Sequence, residues 1–190
     1  PAKAHGDTMN YEQIWLTGFM ATGKTRTARP LAAALDWEAV DIDKLIEEDA
    51  HDAIPAIFRR GGEAAFRVIE SQVVERVAQM HNVVVATGGG TILSEANRAA
   101  MKAHGFIVCL DARPETIASR LADSSTHVSE RPLLEGNTSA YKIGELKSQR
   151  DPVYAQADFI IQTDDMTPDQ VTHQVLLAFR ERTAVAGGAA

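Results

Sequence analysis

Between the apolar run Ile14-Trp15-Leu16 and an Ala/Leu-rich segment that reads as a helix lies Gly18-Phe19-Met20-Ala21-Thr22-Gly23-Lys24-Thr25. This is G-x-x-x-x-G-K-[ST] in a strand–loop–helix setting, the pattern of a P-loop. The glycines let the backbone curl into a nest of inward-pointing N–H groups above a helix N-terminus, a concavity suited to polyphosphate. Lys24 is placed to reach the β- and γ-phosphates as a point charge, and the Thr25 hydroxyl to ligate Mg2+. A nucleotide-binding chain is the reading that follows.

The remaining sequence alternates. Short apolar runs recur at 14–16, 39–42, 83–86, 106–110 and 159–161; helix-like segments occupy 24–35, 43–49, 54–60, 63–80, 94–103 and 114–122, with 139–155 and 168–181 flanking the last run. Such alternation predicts a three-layer α/β/α fold around a five-stranded parallel sheet. With 190 residues one domain suffices, placed at 11–181 between a polar tail (1–10) and a loose Ala/Gly-rich tail (182–190). The formal net charge of −7 sets up no global attraction for nucleic acid or an anionic membrane, so any anion-binding charge must be local and each arginine is informative. The single cysteine, Cys109, lies in a strand-like apolar run and reads as a small core residue. Neither a membrane-spanning stretch nor a secretory pattern is seen, and a cytoplasmic protein is expected.

In parallel α/β sheets ligands sit beyond the carboxyl ends of the strands, and suggestive residues cluster there. Asp41-Ile42-Asp43 follows the second run. Period two along a strand would put both acids on one side, where they repel unless a cation or donor separates them. A helix cap at Asp43 would explain one acid but not the pair. Thr87-Gly88-Gly89-Gly90-Thr91 follows the third run, and three successive glycines cost folding entropy that makes sense where a ligand approaches bare backbone. Upstream, Gly61-Gly62 breaks a helix, Glu63 opens the next, and Phe66, Ile69, Val73 and Val77 form its apolar stripe. Arg67 lies off the middle of that stripe and, read alone, would simply pair with Glu63 four residues earlier. A polar stretch at 122–130, flanked by Arg120 and Arg131, has the length and polarity of a mobile lid, placed at about 121–138. Arg150 could clamp an anion or pair with Asp151. The histidines show no ligand spacing.

Taken together, these pieces resemble the shikimate kinases. The resemblance covers about residues 12–180 and rests on the P-loop, Asp41-Ile42-Asp43, Ile54-Pro55 to Phe58, Gly62-Glu63 with Phe66-Arg67 and Glu70, Thr87-Gly88-Gly89-Gly90, Arg131-Pro132-Leu133-Leu134, and Arg150 with Pro152 and Tyr154. It implies an ATP- and Mg2+-dependent transfer to shikimate by a monomeric enzyme of aromatic amino acid biosynthesis. Asp43, Lys24 and Arg131 would be catalytic. Gly18, Ala21, Thr22, Gly23, Lys24, Thr25, Arg120 and Arg131 would bind ATP, with Arg120 against the adenine. Asp43, Arg67, Arg150 and the backbone of Gly88, Gly89 and Gly90 would hold shikimate, and Thr25 and Asp41 would hold Mg2+. Two positions depart from the family's habit of glycine: Ala21, in the middle of the P-loop, and Ala28. Ala21 is harmless unless a positive φ is required there. A kinase for another hydroxy acid such as gluconate, or a nucleotide-binding regulator without chemistry, are the competing expectations.

Overall fold

A computed structural model describes residues 11–123 and 138–187, with side chains through Ala184. Most of the expected lid, Arg131 included, and the 1–10 tail lie outside the described residues. The elements run β1 (Gln13–Thr17), α1 (Lys24–Leu35), β2 (Glu38–Asp41), α2 (Ile42–Ala50), α3 (Ile54–Val77), β3 (Val83–Ala86), a 3-10 turn (Thr91–Leu93), α4 (Glu95–His104), β4 (Gly105–Asp111), α5 (Pro114–Asp123), α6 (Ala140–Ser148), α7 (Asp151–Tyr154), β5 (Phe159–Gln162) and α8 (Pro168–Gly187).

The five strands are parallel and ordered β2-β3-β1-β4-β5. Strand alternation divides the core into two layers. Ile14, Leu16, Val84, Ala86, Phe106, Val108 and Leu110 face α1 and α8, where Leu31, Val175 and Phe179 close the layer. Trp15, Val83, Val85, Ile107 and Cys109 face the opposite way, onto residues of α2 to α7 such as Ile46, Val73, Met101 and Ile143. Both faces of every central strand are therefore covered, which is why β3 and β4 read as unbroken apolar runs. Cys109 is 1% exposed, and burial pushes its thiol up to about 12, as suits an inert core residue. The chain leaves β1 for β2 on one side and reaches β4 on the other. The end of β1 is thus the point where strand order reverses, and the P-loop emerges there.

Three boundaries differ from expectation. Ile42 is not in β2: the strand stops at Asp41 and α2 starts at once, so Asp41 and Asp43 are not alternate positions of one strand but the cap and first turn of a helix. The 139–155 stretch is two helices, interrupted at Gln149-Arg150. Finally, α8 continues to Gly187 where a loose tail from 182 is expected, because the residues after Arg182 are tolerable helix formers that extend an already packed helix. As expected, α3 is broken at Gly62, where φ is 69° and ψ −173°.

Candidate active site

The P-loop joins β1 to α1 and forms the floor of a cleft of about 830 Å³. Its nest depends on two backbone positions. Gly23 caps α1 at φ 103°, a conformation that side chains other than glycine rarely adopt. Gly18, at φ 127°, lies so close to β4 that a Cβ would collide with the Leu110 carbonyl. Gly18 thus seats the loop against the sheet and does not line the cleft, whereas Ala21, Thr22, Gly23, Lys24 and Thr25 do. The Thr22 hydroxyl donates to the Phe19 carbonyl at 2.8 Å, tying the loop across its own turn. Lys24 folds back over the loop, its Nζ donating to the carbonyls of Gly18 at 3.0 Å and Phe19 at 2.8 Å.

The Thr25 hydroxyl donates to Asp41 Oδ2 at 3.1 Å. The other carboxylate oxygen, Oδ1, caps α2 by accepting from the Asp43 and Lys44 amides at 3.1 and 3.5 Å. The cap is therefore Asp41 and not Asp43. This leaves the Asp43 side chain available to the cleft, beside Gly88: a Cβ at Gly88 would lie 2.9 Å from Asp43 Oδ1. Burial and then the neighbouring Asp41, with Glu70 and Glu47 contributing and Lys24 opposing, push the Asp43 pKa up from 3.8 to about 6.

Arg67 reaches the cleft from α3 below Gly90. Its Nε and Nη2 donate to Glu63 Oε1 at 3.2 and 2.9 Å, and its Nη1 donates to Glu70 Oε2 at 2.7 Å. The surface pair with Glu63 is real, but it is half of the arrangement. Glu70 is 1% exposed and anchors the guanidinium from beneath. Burial works against the Arg67 charge, yet Glu70 and Glu63 outweigh it and hold the pKa above its ordinary value. The third wall is the loop after β3. Gly89 offers its carbonyl to the Tyr154 hydroxyl at 2.6 Å and to Arg150 Nη1 at 3.4 Å, while the Arg150 guanidinium lies over the Phe19 ring, 5.5 Å from its centroid. Arg150 accordingly stands behind the loop and does not itself line the cleft.

A donor loop, two carboxylates, an anchored arginine and a bare-backbone loop thus converge on one cleft. A family model described as "Shikimate kinase" matches residues 20–180. A shikimate kinase from Thermoanaerobacter pseudethanolicus is 38% identical over 88% of this chain and 96% of its own, and one from Parasynechococcus marenigrum is 42% identical over 86% and 83%. The chain belongs to the shikimate kinase family. The solved shikimate kinase from Acinetobacter baumannii in complex with shikimate superimposes with a TM-score of 0.83 at 32% identity, covering 91% of this chain and 95% of that one.

Within this family member, Arg120 comes from α5 and lines the cleft beside the P-loop. Its guanidinium donates to the Ala21 carbonyl at 3.3 Å and to the hydroxyl and carbonyl of Thr163. Thr163, Met166, Pro168 and Val171 continue the cleft from there, forming a largely apolar extension that sequence reasoning missed. No local pattern marks them, since they follow the edge strand β5 and reach the site only through sheet topology. The roles of Glu70 and Tyr154 were missed as well. For Glu70 a signal existed: it falls four residues after Phe66 and three before Val73, inside the buried stripe of α3, where an acid needs a partner. No helix of the described residues is long and apolar enough to cross a membrane.

Proposed function

We propose that this chain transfers the γ-phosphoryl group of ATP to the 3-hydroxyl of shikimate, with Asp43 as the residue on which transfer turns. The observation that carries this is the placement of Asp43: a half-buried carboxylate with its pKa raised to about 6, beside Gly88 of the acceptor loop and within the field of Lys24 of the P-loop. Ionised, it accepts the proton of the attacking hydroxyl or orients it. Arg67 and the backbone of Gly88, Gly89 and Gly90 grip the substrate carboxylate and ring hydroxyls, and Arg150 joins them by swinging away from the Gly89 carbonyl. A planar carboxylate suits the guanidinium fork, which Glu63 and Glu70 hold in place. Gly18, Ala21, Thr22 and Gly23 shape the phosphate nest. Lys24 swings from the loop carbonyls to the transferring phosphoryl group, and Arg131 arrives with a lid at 121–138. The apolar extension beside Arg120 takes the adenine.

Thr25 Oγ1 and Asp41 Oδ2 form a hard, all-oxygen pair at the mouth of the nest, and such a donor set fits Mg2+, which takes few protein ligands and completes its shell with phosphate and water. When bound, the ion neutralises charge on the β- and γ-phosphates. Catalysis is otherwise positioning and electrostatics: attack in line across the gap between Lys24 and Asp43, with water excluded by the lid. We place the whole of 11–181 in one kinase domain that works as a monomer in the cytoplasm.

The test is an ADP-release assay with ATP, Mg2+ and shikimate, each omitted in turn. Release that needs all three supports the reading. Release without shikimate, or a preference for gluconate over shikimate, would overturn it, and ATP binding without turnover would leave a regulator.

A further inference from the structure

The buried Glu70 carboxylate has two oxygens, and each has its own partner. Oε2 accepts from Arg67 Nη1 at 2.7 Å, and Oε1 accepts from the Thr91 hydroxyl, also at 2.7 Å. Thr91 is fully buried, and so is Asn97, whose side-chain amide donates to the Thr91 carbonyl at 3.0 Å. Arg98 donates to the next two carbonyls, Ile92 and Leu93, at 2.8 and 2.9 Å. The hydroxyl is therefore fixed from α4, on a 3-10 turn that cannot shift without breaking these bonds. It also stands close under Gly88, where a Cβ would lie 3.2 Å from it, 3.5 Å from Glu70 Oε1 and 2.9 Å from Asp43 Oδ1.

We propose that Thr91 is a positioning residue for acceptor binding, its hydroxyl holding the Glu70 carboxylate in the one orientation that seats Arg67 beneath Gly90. Without that donor, Oε1 becomes a buried carboxylate oxygen with no hydrogen bond, a costly state that Glu70 relieves by rotating. Asp43, across Gly88 on the cleft side, carries like charge and repels it, so rotation turns both oxygens toward the Arg67 fork. The guanidinium then leaves its place against Gly90. Thr91 thus ties α3, which supplies the arginine, to the glycine loop, which supplies the backbone of the same subsite. Nothing in the donor half of the cleft depends on it.

This inference rests on the reading of Arg67 as the grip on the substrate carboxylate, and the experiment separates the two. Steady-state kinetics of the full chain would be measured for Thr91→Val, which keeps shape and removes the hydroxyl, for Thr91→Ser, which keeps it, and for Arg67→Lys, which keeps charge and loses the fork. We expect Thr91→Val to raise the shikimate KM about tenfold, with kcat and the ATP KM within about twofold, the size expected of one hydrogen bond to a charged group. Thr91→Ser should restore the shikimate KM, and Arg67→Lys should raise it further. A normal shikimate KM in Thr91→Val beside a raised one in Arg67→Lys overturns the role of Thr91 alone. A normal KM in Arg67→Lys overturns the reading beneath it. Equal loss of kcat and both KM values in Thr91→Val, unrescued by serine, shows a merely structural residue. Should Thr91→Val fail to fold, Thr91→Ala against Thr91→Ser isolates the hydroxyl in the same way.

Discussion

At Gly23, in the donor loop, φ is 103° and nothing lies within 4 Å of where a Cβ would stand. At Gly90, in the acceptor loop, φ is an ordinary −104°, but a Cβ would lie 2.5 Å from Arg67 Nη2. Gly23 is needed for backbone shape and Gly90 for the space its partner fills, while Gly18 is needed for both, since its φ is 127° and a Cβ would collide with the Leu110 carbonyl oxygen. The donor loop draws much of its shape from within, the Thr22 hydroxyl and Lys24 Nζ both donating to carbonyls of the loop itself, although Arg120 and Thr163 also hold it from outside. The acceptor loop, beyond its own turn bonds, is held by side chains that α3, α4 and α7 press against it: Arg67, Asn97 and Tyr154. Local geometry carries more of the donor half of the cleft, and long-range packing more of the acceptor half.

Asp43 stands where the two halves meet, and the largest effect is expected there. Asp43→Asn should lower kcat by about 10²- to 10⁴-fold while the ATP KM stays within a few-fold, because general-base work is lost and the donor nest is untouched. The wild-type kcat/KM should fall as pH drops through about 6, where the carboxylate takes up a proton. Stability should run the other way. A carboxyl whose folded pKa is raised from 3.8 to about 6 binds its proton more tightly in the folded state, so stability falls as pH rises through that window. By pH 7 the cost is about 3 kcal/mol, which asparagine avoids. Asp43→Asn should therefore melt higher than wild type at pH 7.5 and by less at pH 4. Near-normal turnover would refute the catalytic assignment, and identical melting at both pH values would refute the buried charge.

Gly90→Ala tests the acceptor half by collision. Its backbone conformation suits alanine, so the new methyl acts on Arg67, displacing the guanidinium from the cleft. The shikimate KM should rise roughly 10- to 100-fold, as for loss of a charge-assisted hydrogen bond, with the ATP KM unchanged. An unaltered shikimate KM would show that Arg67 is not held there for substrate.

The same contrast explains what could be read from the chain beforehand. The P-loop, the strands and their parallel order were legible because each is written in a short stretch: spacing of Gly18, Gly23 and Lys24, or an apolar run between helices. Arg67 and the Gly88 to Gly90 loop could be nominated. Their arrangement could not, because the bonds among Glu70, Thr91 and Asn97 join positions 21 and 6 residues apart through a fold that only the whole sheet sets up. Asp41 and Asp43 read as alternate positions of one strand, with Asp43 as the candidate cap, whereas they are the cap and the first turn of α2. Whether β2 ends at Asp41 or at Ile42 decides which acid caps α2, and a one-residue boundary is below what apolar runs resolve. The cleft residues Thr163, Met166, Pro168 and Val171 carried no pattern at all.

Gly23→Ala is the counterpart on the donor side. No neighbour obstructs the methyl, so the whole penalty is conformational, about 1–2 kcal/mol. It should appear as lower thermal stability and a raised ATP KM, with the shikimate KM unmoved. A shift confined to shikimate would break the division between the two loops.

The smallest effect carries the opposite sign. Ala21 adopts φ 58°, the left-handed region where an L side chain is strained, and its carbonyl is held by Arg120. The departure from glycine at this position therefore costs the chain something, where an alanine at negative φ would have cost nothing. Ala21→Gly relieves about 1–2 kcal/mol of local strain and gives back about 0.4–1 kcal/mol through the freer unfolded chain. The net gain of up to about 1.6 kcal/mol should raise the melting temperature by at most about 3–6 °C, with both KM values within about twofold. Gly23→Ala and Ala21→Gly exchange the same two residue types within one loop and should move stability in opposite directions. A fall in stability for Ala21→Gly would mean that the hold of Arg120 on the Ala21 carbonyl already offsets the strain. The donor loop would then depend on α5 as the acceptor loop depends on α3, and the contrast between the two halves would narrow to Gly23 alone.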